Sequence, residues 1–313
     1  MRRVRRIDVR GLGLVVHEWG PEDGPTVMCL HGFLDHGRSF APVAEALSSE
    51  LRVVVPDMRG HGESGWVGAG GYYHFYDYFQ DVMRVLDAVR PASLTLVGHS
   101  MGGSIATGVA AMLGDGLSGL LLLEGMGPLY TRLEDTPNRL RRWCHALGQP
   151  GVNGDVEHRR AARRPMPDLS VAAERLGRAN PRLSPERALQ LAESFTEPGP
   201  DGVRWRYDPL HRTPSAKPFV TGEAEAMWGA VRAPTLSVFG SEGLMPEDLA
   251  DRHAQVADLR AGYVAGAGHN IHHERPELVA TAARWMVEEK VGLPPGLVPG
   301  TPPRPAEPRL PRH

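Results

Sequence analysis

Over the first 125 residues, short apolar runs alternate with stretches whose apolar residues recur at helical spacing. The runs RRIDVRG, GLVVHEW, TVMCLHG, LRVVVPD, LTLVGHS and GLLLLEG read as strands. The last four are dense in Val, Leu and Ile without polar alternation, the pattern of strands buried on both faces. Between them lie FAPVAEALSS and FYDYFQDVMRVLDAVRP. In the second, Phe75, Phe79, Val82, Leu86 and Val89 share one helical face, and Pro91 follows its end. Strands alternating with helices predict an α/β architecture, a mostly parallel central sheet flanked by helices.

The rhythm breaks at Gly125. From residue 128 to 228 the chain has helical segments such as TRLEDTPNRLRRWCHALG and SPERALQLAESF, proline-rich joints, and no strong buried strand. It resumes at APTLSVFG, DLADRHAQVA, RAGYVAGAG and RPELVATAARWMVEEK. A helical block spliced after the sixth strand predicts a cap at the carboxyl edge of the sheet, where ligands bind in such folds. The expected division is a core of residues 1–127 and 229–292, a cap of 128–228, and a proline-rich tail of 293–313 that is disordered or polyproline-like.

Composition narrows the function classes. The chain is 41% hydrophobic and 23% charged with net charge −2, so no global field favours nucleic acid or an anionic membrane. Cys29 and Cys144 cannot form a disulfide framework, and Cys29 lies in an apolar run that predicts a buried thiol. No apolar stretch follows the basic N-terminus, and none reaches spanning length, so a cytoplasmic protein without a membrane partner is expected.

The chemistry starts at LTLVGHSMGGSIATGVAA. A strand, a G-x-S-x-G turn at Gly98–Gly102 and a small-residue helix form a nucleophile elbow, which makes Ser100 the candidate nucleophile. With this block, the chain resembles the α/β-hydrolase superfamily over roughly residues 8–290, close to serine-hydrolase-like proteins with a helical cap. Three further blocks carry the resemblance. CLHGFLDHGRSF is similar to the loop that helps form the oxyanion hole, which implies the amides of Phe33 and Met101 as donors. VVPDMRGHGESG is similar to the D-x-R-G-x-G-x-S loop, and AGAGHNIHHERPE to the loop that delivers the catalytic histidine, here His269. His269, His272 and His273 also spell a possible metal cluster, but nothing nearby in sequence supplies further ligands, and no metal or cofactor is expected.

A serine–histidine pair needs a carboxylate to fix the imidazole tautomer and stabilise its charge. In the superfamily register the acid follows the strand after the cap, where this chain has Gly243, with Glu242 one position out. The other candidate is Glu124, directly after four leucines and 24 residues beyond the nucleophile. One group of haloalkane dehalogenases is similar in taking its acid from that strand end. A buried glutamate needs a partner, and a protonated histidine is a good one, so Glu124 is the expected acid and Glu242 the fallback.

The resemblance implies a carboxylesterase-like serine hydrolase for an ester, lactone or thioester of a small to medium apolar substrate. A non-catalytic binding protein, or a carbon–carbon hydrolase or acyltransferase using the same residues, are the alternatives. Tyr72 and Tyr73, in the aromatic run GYYHFYDYF, and Trp143 and Trp205 in the cap are candidate substrate contacts, although helix-start packing also explains the aromatic run. His99 reads as packing at the elbow, and HRRAARRP at 158–165 as a solvated helix face.

Overall fold

The computed structural model describes residues 2–127 and 133–303. Strands β1 (Arg3–Val9), β2 (Leu12–Trp19), β3 (Thr26–Leu30), β4 (Arg52–Pro56), β5 (Leu94–His99) and β6 (Gly119–Leu123) come first. A hairpin of β7 (Thr196–Gly199) and β8 (Gly202–Trp205) stands apart, and β9 (Thr235–Gly240), β10 (Leu259–Val264) and β11 (Val298–Pro299) complete the main sheet. Its order is β1-β2-β4-β3-β5-β6-β9-β10-β11, parallel from β4 to β10 and antiparallel at both edges.

Helices α1 (Ala41–Leu47), α2 (Phe75–Val89) and α3 (Met101–Leu113) link the first strands. Between β6 and β9 lie α4 (Thr136–Leu147), α5 (Val156–Ala162), α6 (Leu169–Ala179), α7 (Pro185–Phe195) and α8 (Thr221–Ala230). The chain then adds α9 (Leu249–His253), α10 (Ile271–Glu274) and α11 (Pro276–Val287). The strands and helices expected from the hydrophobic pattern are all found. The start of the inserted segment, residues 128–132, and the end of the tail, 304–313, lie outside the described residues.

The unbroken apolar strands follow from two-sided burial. Leu120 and Leu122 join Met28, Val54, Leu96 and Phe239 in a core on the α2 and α3 side. Leu121 and Leu123 point the other way, with Val27, Cys29, Val97 and Val238 against residues of α1 and α11. Each such side chain contributes on the order of 1.5–3 kcal/mol, so a polar residue at any of the four leucines would cost more than a propensity change could offset. Burial also pushes the Cys29 thiol up, which leaves it inert.

Two expectations need correcting. Over its described part, residues 293–303, the proline-rich tail is packed against the core rather than disordered. Leu293 and Leu297 pack on the core, Tyr263 pairs with Val298, and the Gly300 N–H donates to Ala261 O at 3.0 Å. An edge strand tolerates Pro299 because one side of it needs no donor. The basic run at 158–165 is not simply a solvated face either. Arg159 is buried and ion-paired with Asp208 at 2.9 Å, while Arg160 and Arg163 lie over the Trp66 ring. No helix among the described residues is long and apolar enough to cross a membrane.

Candidate active site

Consecutive parallel strands deliver their loops to one sheet edge, and the candidate residues collect there. β5 runs directly into Ser100, whose φ of 50° and ψ of −117° set the side chain on a sharp turn before α3. The turn is held from both sides: the Ser100 N–H donates to Leu123 O at 3.0 Å, and its carbonyl accepts from Gly103 N–H at 2.9 Å. A non-glycine residue so placed costs of order 1–3 kcal/mol and persists only where its surroundings enforce it. Here crowding enforces it. A Cβ on Gly102 would lie 2.1 Å from Leu30 O, and one on Gly103 would lie 2.3 Å from Gly125 Cα. The elbow glycines are therefore required for close approach of neighbouring chains.

β6 ends one residue before Glu124, which also takes a positive φ, 49°. This bends its side chain across the end of β9, where it is buried. One carboxylate oxygen, Oε1, accepts from Gly240 N–H at 2.8 Å. The other, Oε2, accepts from Leu244 N–H at 2.7 Å and lies 2.6 Å from His269 Nδ1. Because the carboxylate can only accept, Nδ1 carries the proton and Nε2 is left as the basic nitrogen. His269 itself is delivered by the loop after β10 and remains partly exposed.

Glu242 does not share this role. It is half-exposed and pairs with Arg182 of the inserted segment. Gly243 explains why the superfamily register is vacant. A Cβ there would lie 1.5 Å from Glu124 Oε1, so the incoming carboxylate occupies the volume that a side chain at 243 would need.

Ser100, Glu124 and His269 line one cavity of about 300 Å³, walled by Met101, Phe219 and Phe239. The Ser100 hydroxyl and the His269 ring face it together but are not hydrogen-bonded to each other. The Met101 N–H opens α3 and so lacks an intrahelical acceptor. Neither it nor the Phe33 N–H donates to another described residue. The loop carrying Phe33 is anchored by His31, whose Nε2 accepts from Met58 N–H at 2.9 Å. The D-x-R-G-x-G-x-S loop is pinned in turn through Asp57, which accepts from Gly37 and Glu63 N–H at 2.6 and 2.7 Å.

The predicted substrate contacts divide. Tyr72 and Tyr73 line a second cavity of about 230 Å³ that shares Phe75, Met101, Pro218 and Phe219 with the first. Both tyrosines also tie the core to the insertion, Tyr72 through Pro214 O at 2.7 Å and Tyr73 through Asp208 Oδ2 at 2.8 Å. Trp143 meets the Tyr72 ring edge-on at 6.0 Å but lines neither cavity. Trp205 lines neither cavity as well, because the β7–β8 hairpin turns it toward Met166 and Ala172 in the insertion's own small core. Phe219 and Phe239, which the sequence did not single out, take the places of the two tryptophans. Phe219 sits in an unpatterned proline-bounded stretch, whereas Phe239 at a strand end carried a weak positional signal.

His99 does more than pack. Its Nε2 donates to His269 O at 2.9 Å, and burial, followed by the neighbouring His272 and His269, holds its pKa well below the ordinary value.

Comparison with known proteins places the fold. The model of the alpha/beta hydrolase family matches residues 27–283. A serine hydrolase-like protein of Danio rerio is 28% identical over 273 residues, covering 84% of this chain and 81% of the relative. A 3-hydroxybutyrate-oligomer hydrolase of Cupriavidus necator is 29% identical over 287 residues, covering 87% and 92%. Among solved structures, a thioesterase domain from the curacin biosynthetic pathway superposes with a TM-score of 0.80 at 28% identity, covering 91% of this chain and 99% of that one. By fold, by the loops at its sheet edge and by these matches, the chain belongs to the alpha/beta hydrolase family.

Proposed function

We propose that the protein is a serine hydrolase that cleaves an ester-like acyl bond through Ser100, His269 and Glu124. The observation that carries the proposal is the 2.6 Å contact of His269 Nδ1 with the buried Glu124 carboxylate, above a glycine that leaves room for it. Ser100 Oγ attacks the acyl carbon while His269 Nε2 takes its proton, and the amides of Phe33 and Met101 receive the oxyanion. His269 then returns the proton to the leaving group, and water cleaves the acyl-enzyme by the same steps reversed. The contact between Ser100 and His269 tightens as substrate fills the pocket, as catalytic hydrogen bonds commonly do.

The substrate is a small molecule of modest size. The cavity wall is largely apolar and the inserted segment covers it through Pro218 and Phe219, in the stretch before α8, which suits an ester or thioester with a short apolar acyl or alcohol part. The relatives named for an oligoester and a thioesterase activity act on bonds of this class. No cofactor takes part in these steps.

The experiment is intact-mass measurement after exposure to a fluorophosphonate. Wild type is expected to take one adduct and Ser100→Ala none. A folded wild type that takes no adduct would refute the proposal.

A further inference from the structure

Asp35, Ser39, His99, His272 and His273 form a buried polar cluster that the proposed reaction does not use. The loop that presents Phe33 leaves β3, and the loop that carries His269 leaves β10. In the sheet these strands are separated by β5, β6 and β9, so they lie roughly 19 Å apart at about 4.8 Å per strand. Nothing in the sheet ladder fixes the two loops relative to each other. They meet above the sheet edge, where His272 Nε2 lies 2.9 Å from Asp35 Oδ2.

We propose that Asp35 is a positioning residue for the hydrolysis described above: through His272 its carboxylate locks the Phe33 loop to the His269 loop, so that oxyanion donor and base are set against Ser100 as one unit. The inference rests on that reading of the site.

The carboxylate is well satisfied. Oδ1 accepts from His36 N–H at 2.7 Å, and Oδ2 accepts from the Ser39 hydroxyl at 3.0 Å as well as from His272. His273 Nε2 stands 3.3 Å from the same oxygen. Burial alone would raise its pKa, but the electrostatic pull of His273 beside it and the hydrogen bond from His272 hold Asp35 well below the usual carboxylate range. Burial, above all, lowers His272 to about 3. The pair is therefore a carboxylate and a neutral imidazole, with the one imidazole proton on Nε2.

Two further groups bridge the same loops. Arg187 of α7 donates to Ser39 O and to His273 O, each at 3.4 Å, and brings the compensating positive charge. His99, the residue before Ser100, donates to His269 O, and its ring lies 4.3 Å from that of His272. The elbow, the base loop and the oxyanion loop thus converge on one cluster of hydrogen bonds and ring contacts. The rival use of these side chains is cation binding, since Asp35, His272 and His273 place three ligand atoms within 4.8 Å of one another. The nearby guanidinium and the bond already made by His272 Nε2 favour the locking role.

The test compares full-length wild type with Asp35→Asn, His272→Leu and His272→Gln. It follows the rate of fluorophosphonate adduct formation, kcat and KM for p-nitrophenyl butyrate, and the thermal midpoint. Asp35→Asn and His272→Leu are expected to lower kcat and the labelling rate about ten- to a hundredfold with KM little changed, as small displacements of reacting groups do. His272→Gln, whose amide N–H can replace the imidazole donor, is expected to recover most of the rate. Unchanged kcat and labelling in folded variants, with only a lower midpoint, would overturn the proposal. So would one zinc ion held by wild type and lost from Asp35→Asn in native mass spectrometry. A wild type that takes no adduct at all refutes the hydrolase reading itself, and the positioning role with it.

Discussion

The ends of β6 and β9 lie side by side, with Leu123 opposite Val238, and each has a glutamate within reach of the histidine loop by sequence. Their environments differ completely. Glu124 turns inward on a positive φ, loses its water and gains two backbone amides and an imidazole. Glu242 stays half in water and is held by an arginine of the insertion. The sheet edge thus has one slot for a carboxylate. It is filled from β6, and β9 is bare at the matching position, Gly243.

Four tests probe this contrast between the two strand ends, and the most damaging variant is at the proposed acid. Glu124→Gln keeps the shape but removes the charge and disturbs the tautomer. It is expected to lower kcat on the order of ten-thousandfold, as loss of the acid does in well-studied triads. Stopped-flow or long-time ester assays would measure it, and near-normal turnover would remove Glu124 from the mechanism.

Gly243→Ala pushes a methyl into Glu124 Oε1. A displacement near 1 Å predicts about a hundredfold loss of kcat, and the overpacking predicts about 1–3 kcal/mol of lost stability by denaturant titration. An unchanged rate would mean that the slot is looser than its distances imply.

Moving the acid tests the single-slot idea directly. Glu124→Gly suits the positive φ at that position and empties the slot. Adding Gly243→Asp to it is expected to raise kcat at least about tenfold over Glu124→Gly alone, a gain of about 1.4 kcal/mol in the barrier. No gain would mean that the two strand ends are not interchangeable.

Glu242→Gln is the control. It removes only an exposed ion pair worth about 0–1 kcal/mol, so kcat should stay within about twofold of wild type. A large loss would return Glu242 to consideration as the acid.

Much of this was readable in the chain. Unalternated runs such as GLLLL announce strands buried on both faces, because each face of the sheet must exclude water. The elbow was legible because its glycines meet a demand of local geometry, close approach of a turn to its neighbours. Glu124 was legible as a carboxylate that burial would penalise unless it found a partner. The pocket was less so: Trp143 and Trp205 had the right chemistry, but the side chains that line the cavity depend on how the inserted helices settle, which no short-range pattern encodes.

Hydrophobic period and glycine spacing act over a few residues, so the layered fold, the elbow and a short list of acids were already set along the chain. Which glutamate meets His269 is a matter of tertiary contact, because the empty volume above Gly243 comes from two strands more than a hundred residues apart. The joining of Asp35 to His272 is of the same kind, a contact across 237 positions that forms only when the sheet brings both loops over its edge.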